Sequence, residues 1–113
     1  FLNHRQMIVA YKIANIVVAR AGLGTMIELA ALAKPTILVP LPNSHQLDNA
    51  RVAAQAGAVI MLEEKDLVDY GLTEIVRGLL FDTQKQTNLV SNWPKVIKIA
   101  SEAEILKIFS RYL

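Results

Sequence analysis

Asn15-Ile16-Val17-Val18-Ala19-Arg20-Ala21-Gly22-Leu23-Gly24-Thr25, continuing through Met26 to Ala33 and into Pro35-Thr36-Ile37-Leu38-Val39-Pro40, decides the fold. Residues 15–20 and 35–40 are short aliphatic or β-branched runs without apolar/polar alternation. A strand wetted on one face alternates, so both runs read as strands buried on two faces, as in a parallel sheet. Between them, Thr25 to Ala33 is apolar almost all round, which suits a helix packed on a sheet within a larger body. Further along, Leu47 to Ala56 reads as a second helix, with Ala50, Ala53, Ala54 and Gly57 small enough for close approach to the sheet. Ala58-Val59-Ile60-Met61-Leu62 then reads as a third strand, stopping at Glu63-Glu64. This order of strands, loops and helices requires right-handed crossovers and a parallel α/β sheet of Rossmann-like type.

Upstream, Arg5 to Ala14 reads as one more helix, with Met7, Ile8, Tyr11 and Ala14 on one face, and Phe1-Leu2 as the stub of a preceding strand. Downstream, Leu72, Ile75, Val76, Leu79 and Leu80 recur at helical spacing after a break at Gly71. The polar stretch Asp82 to Asn92 is expected to be helical in part. Trp93-Pro94 is expected to open a last amphipathic helix carrying Val96, Ile97, Ile105, Leu106, Ile108 and Phe109. Three strands are few for a doubly wound sheet, which commonly has about five or six. The chain, opening on Phe1, is therefore expected to be the C-terminal part of a single domain of something larger. A parallel sheet without its outer strands leaves an open edge and an uncovered face, so the chain alone is expected to aggregate or be partly molten.

Composition narrows the function. The 113 residues carry a net charge of +2, with 53% apolar and 19% charged residues, which excludes an intrinsically disordered chain. The basic pI of 9.1 arises from a surplus of two charges with no Lys/Arg cluster, so no nucleic-acid partner is expected. The absence of cysteine removes disulfides, thiolate metal sites and cysteine nucleophiles together. No apolar run approaches the roughly 18–20 residues of a membrane span.

In open parallel sheets, ligands bind outside the carboxyl ends of the strands. Two loops leave such ends here. In Arg20-Ala21-Gly22-Leu23-Gly24-Thr25 the glycines let backbone N–H groups approach a ligand, and the following helix aims its positive end at the same spot. Thr25 adds a hydroxyl. Ile27 stands at the third glycine position of a dinucleotide fingerprint, and no Gly-Lys-Ser/Thr of a Walker loop exists. The turn is either an anion site or a plain strand-to-helix connection. Thr25-x-x-Glu28 likewise allows two readings, a capping box or a carboxylate receiving ribose hydroxyls. The second loop, Pro40-Leu41-Pro42-Asn43-Ser44-His45-Gln46-Leu47-Asp48-Asn49, groups neutral hydrogen-bonding side chains that suit a sugar, or else forms a solvated loop with Asn43 or Ser44 capping a helix. His45 without a placed carboxylate is a weak general base. His4 and His45 lack ligand spacing, so no metal site is expected.

Together the two loops are far more specific than either alone. Asn15 to Thr25, Glu28 to Pro35, Ile37 to Pro42, His45-Gln46-Leu47-Asp48-Asn49-Ala50-Arg51 and Ala56-Gly57-Ala58 resemble, in order and spacing, part of glycosyltransferase family 28. The likeness is to the C-terminal domain of the N-acetylglucosaminyltransferases of bacterial lipid II synthesis. It is strongest over residues 11–65 and looser to the end.

The resemblance implies a GT-B architecture, with residues 1–113 as a partial UDP-sugar-binding domain: core 11–65, closing helices 66–113, and the N-terminal acceptor domain absent. It implies that Gly22, Leu23, Gly24 and Thr25 cradle the UDP phosphates and that Glu28 holds the ribose hydroxyls. His45 and Gln46 fall at the donor sugar, Gln46 on its hydroxyls. Leu2 falls near the uracil and Met7 near that cleft, while Arg20 and Asn49 complete the substrate-binding set. Asn3-His4-Arg5 replace the family's usual acidic residues there, and Ala33 replaces a usual glycine, a mild change.

The implied reaction is metal-independent and inverting, without a cofactor. N-acetylglucosamine passes from UDP-N-acetylglucosamine to a lipid-linked muramyl-pentapeptide, with the general base on the missing domain. The parent is expected to sit peripherally on the cytoplasmic face of the bacterial inner membrane, and this chain to be inactive alone. Two other readings remain: a separate catalytic subunit of a two-chain transferase, or a non-catalytic nucleotide-sugar-binding module. The UDP-N-acetylglucosamine 2-epimerases share the architecture but carry an Arg/Thr/Glu-rich loop where this chain has Pro40 to Gln46.

Overall fold

The computed structural model describes residues 15–67 and 71–99, with side chains to residue 97. The element order is β1 (Val17–Ala19), α1 (Leu23–Ala31), β2 (Thr36–Leu38), α2 (His45–Gln55), β3 (Ile60–Met61), a 3-10 turn (Glu64–Leu67), α3 (Gly71–Leu80) and α4 (Thr83–Ile99). The expected upstream helix with Met7, the strand stub with Leu2, and the apolar positions at 105–109 lie outside the described residues.

The three strands form a parallel sheet in the order β1-β2-β3, as the aliphatic runs require. Val17, Val18 and Ala19 stand beside Thr36, Ile37 and Leu38, while Ile37 and Leu38 stand beside Ile60 and Met61. The regular strands are shorter than the runs that predict them. The backbone pairing nevertheless extends beyond them: Val17 N donates to Pro35 O (3.0 Å), Val39 N to Ala19 O (2.8 Å) and Leu62 N to Leu38 O (2.9 Å).

Alternate side chains of a strand point to opposite faces, and around the central strand both faces are covered, whereas Val18 of β1, expected to be buried, is 44% exposed. On one face, Val17, Leu38 and Val59 pack with Met26 and Leu29 of α1, Ala50 and Ala53 of α2, and Trp93 and Val96 of α4. On the other, Ile37, Val39 and Leu62 pack with Leu79 of α3 and Leu89 of α4. The central strand is therefore buried along its whole run from Pro35 to Pro40, which is why it carries no polar alternation.

The break expected at Trp93-Pro94 does not occur. One helix runs from Thr83 to Ile99 with Pro94 inside it, and Asp82 starts it by accepting the Lys85 amide through Oδ1 at 2.9 Å. An internal proline costs about 3 kcal/mol, whereas burying each large apolar side chain contributes about 1.5–3 kcal/mol. Leu89 is buried in one core and Trp93 and Val96 in the other, on both sides of the proline, and together this burial outweighs its cost. The Trp93 indole also donates to Lys34 O (3.2 Å), and Asn92 Nδ2 to Gly57 O (3.1 Å), pinning α4 to the loops behind β2 and β3.

Those two loops share one helix ending. After α1, Lys34 N bonds Leu29 O and Ala33 N bonds Ala30 O; after α2, Ala58 N bonds Ala53 O and Gly57 N bonds Ala54 O. This pattern places one residue in the left-handed region, Gly57 at φ 76° and Ala33 at φ 53°. The alanine is not quite the mild replacement expected, because a Cβ there costs about 1–2 kcal/mol.

Candidate functional site: the crevice at the carboxyl ends of β1 and β2

The β1–α1 turn and the β2–α2 loop lie side by side above the sheet, and their polar groups meet at Gly22. Gly22 is the residue before α1, at φ −66° and ψ 140°, with no side chain capping the helix. The first intrahelical bond runs from Met26 N to Gly22 O at 3.0 Å. The amides of Leu23, Gly24 and Thr25 thus precede the helical ladder and have no partner within the helix.

This start overturns the capping-box reading of Thr25-x-x-Glu28. Thr25 is the third residue inside α1, so it caps nothing, and Glu28 lies in the second turn, partly buried. The cap position belongs to Gly22 because the chain leaves β1 extended and must turn into the helix at once.

The second loop folds onto the start of α2. Ser44 caps that helix, accepting the Gln46 amide at 3.2 Å while donating its hydroxyl to Leu41 O at 2.7 Å. Asn43, the other candidate cap, occupies the preceding turn at φ 55°. The Leu41 amide donates to Gln46 Oε1 at 3.0 Å, which fixes the direction of that side-chain amide. Its nitrogen end then faces the first loop: a Cβ on Gly22 would stand 3.9 Å from Gln46 Nε2 and 3.9 Å from Thr25 Oγ1. Asn49 is held the other way, its Nδ2 donating to Ala21 O at 3.1 Å.

Around Gly22 the structure therefore gathers hydrogen-bond donors: a side-chain amide nitrogen, a hydroxyl and the first turn of a helix. That set suits an anion or an acceptor-rich group. Arg20 stands apart from it. Its Nη1 donates to Val39 O at 3.3 Å and meets Glu64 Oε1 at 2.6 Å. His45 is exposed at the first position of α2, and Leu2 lies outside the described residues. Glu64 is the site neighbour that sequence reasoning missed; its only signal was a carboxylate directly after a strand's carboxyl end. Nearby, a hydrogen bond from Lys65 to Glu63 (3.1 Å) holds the lysine above its usual pKa.

These features define a parallel α/β unit of the Rossmann-like class with a polar crevice outside the carboxyl ends of its strands. Residues 3–105 match the glycosyltransferase family 28 C-terminal domain, and the chain belongs to that family. It is 45% identical over 78 residues to the UDP-N-acetylglucosamine–N-acetylmuramyl-(pentapeptide) pyrophosphoryl-undecaprenol N-acetylglucosamine transferase 1 of Bacillus cereus, covering 66% of this chain and 21% of that protein. The like-named transferase of Desulforamulus reducens is 31% identical over 103 residues, covering 88% of this chain and 28% of its own length. Among solved structures, the crystal structure of Acinetobacter baumannii MurG is similar with a TM-score of 0.64 and 25% identity, covering 85% of this chain and 27% of that one. The matches thus span 21% to 28% of these relatives' own length.

Proposed function

We propose that this chain supplies the donor-binding part of a transferase that moves N-acetylglucosamine from UDP-N-acetylglucosamine to a lipid-linked muramyl-pentapeptide in peptidoglycan synthesis. The single observation that carries the reading is the donor cluster at Gly22, formed by two loops of a family 28 domain. In this reading the first turn of α1 and Thr25 receive the diphosphate, whose charge grows as UDP leaves. Preorganised amides aimed at developing charge act there as an oxyanion hole acts. Glu28 receives the ribose hydroxyls, and Gln46, His45 and Asn49 border the sugar. The acceptor hydroxyl attacks the anomeric carbon from the opposite side and inverts it, and its proton passes to a base elsewhere in the parent protein. The parent works peripherally at the cytoplasmic face of the inner membrane, where a lipid-linked acceptor lies.

Calorimetric titration of the full-length parent with uridine, UDP and UDP-N-acetylglucosamine tests this. Glu28→Gln removes a charge-assisted acceptor and is expected to weaken UDP by about 1.5–3 kcal/mol. Unchanged UDP affinity in that variant removes Glu28 from the nucleotide site. A parent that binds none of the three ligands leaves a structural module as the reading.

A further inference from the structure

The pairing that holds the sheet together stops at the floor of the crevice. Among the described residues the last ladder bonds are Val39 N to Ala19 O and Leu62 N to Leu38 O, and the two site loops lie above them. The Arg20 side chain crosses this level. Arg20, the residue after β1, reaches over the central strand: its Nη1 donates to Val39 O just past β2 and meets Glu64 just past β3. A single nitrogen with two hydrogens thus ties the ends of all three strands. Asn49 makes the matching tie from α2 back to Ala21 O.

We propose that Arg20 and Glu64 are positioning residues, a brace that sets the separation of the β1–α1 turn from the β2–α2 loop and so the fit of the donor around Gly22. Arg20 then acts on the sugar nucleotide through the backbone and not by touching it, although a guanidinium beside an anion site invites the direct role. Its charge is already balanced by Glu64, and Nη1 is committed to two partners. The pair is 48% and 42% exposed, so it adds little to folding stability. Its effect falls on loop geometry. This inference rests on the donor-site reading above.

The sign of one substitution separates the two roles. If Arg20 touched the diphosphate, Glu64→Gln would release the guanidinium and tighten UDP. As a brace, Glu64→Gln and Arg20→Met each weaken UDP about three- to tenfold, and the double variant loses no more than Arg20→Met alone, because removing the guanidinium already removes both of its ties, to Val39 O and to Glu64. Calorimetry on the full-length parent reads these values, with the thermal midpoint expected to stay nearly constant. Tighter binding in Glu64→Gln, additive losses, or a lowered midpoint with unchanged affinity would overturn the brace. Amide hydrogen exchange of the ligand-free parent supplies a readout that does not need the donor. Glu64→Gln is expected to speed exchange across residues 20–25 and 39–46, and unchanged exchange there also overturns the brace. A wild-type parent that fails to bind UDP refutes the donor-site reading alone, and the exchange result then decides the brace by itself.

Discussion

Gly22→Ala separates the ligand role of the β1–α1 turn from its folding role. Gly22 has φ −66° and ψ 140°, a backbone any residue adopts, so no left-handed strain arises. The new methyl would sit 3.9 Å from Gln46 Nε2 and 3.9 Å from Thr25 Oγ1, an ordinary contact distance. Two opposing stability terms remain. Replacing glycine at a compatible backbone stabilises by about 0.4–1 kcal/mol through the unfolded chain. Alanine before a helix is a poorer cap than glycine, by an amount of about the same size. The net change is expected within about 0.5 kcal/mol, a shift of no more than about 1–2 °C in a protein of the parent's size. Binding is another matter. The methyl narrows the gap between the two donors and blocks close approach to the turn's amides. Losing one charge-assisted hydrogen bond costs about 1.5–3 kcal/mol, or about 10- to 150-fold in Kd. Thermal melting and UDP titration of the full-length variant check both halves. A variant that melts as wild type and binds UDP equally well would refute the anion-site geometry. A variant that melts far lower would refute the conformational reasoning.

Three further outcomes are expected. Gly57→Ala meets both a left-handed backbone and a Cβ position 2.9 Å from Asn92 Nδ2, and is expected to destabilise by about 2–3 kcal/mol; Ala33→Gly, at the equivalent place after α1, is expected to stabilise by about 0.5–1 kcal/mol. Urea unfolding of the two variants should move the midpoint in opposite directions, and movement in one direction refutes the shared-motif argument. Gln46→Ala is expected to weaken UDP-N-acetylglucosamine about tenfold and UDP much less, as a lost neutral or weakly polarised hydrogen bond implies; equal losses would assign Gln46 to the phosphates beside Gly22. The 113-residue chain alone exposes Val18 (44%), Leu80 (46%) and Phe81 (85%), and is expected to bind a hydrophobic dye and aggregate. A soluble monomer with a sharp reversible melt would contradict that.

The parallel sheet, its strand order along the chain and the two site loops were legible in the sequence because a strand buried within a parallel sheet leaves a short, β-branched aliphatic run without alternation, told from a buried helix by its length and its flanking Gly and Pro. Glycines and clustered polar residues at the ends of two such runs marked the crevice, since ligands of open parallel sheets bind there. Other features were decided only by contacts between distant parts of the chain. Pro94 reads locally as a helix break, but Leu89 enters one core and Trp93 and Val96 the other along the same helix, and that burial exceeds the proline's cost. Thr25 and Glu28 spell a capping box, yet the path out of β1 makes Gly22 the last extended residue and moves the cap three residues earlier. The direction of the Gln46 amide depends on the Leu41 N–H, and that of Asn49 on Ala21 O. Arg20 carries no sign of its partner in its own neighbourhood, because Glu64 comes beside it only when β3 aligns next to β2. Periodicity records which faces are buried; which polar atoms end up paired is settled by the packing of elements far apart in sequence.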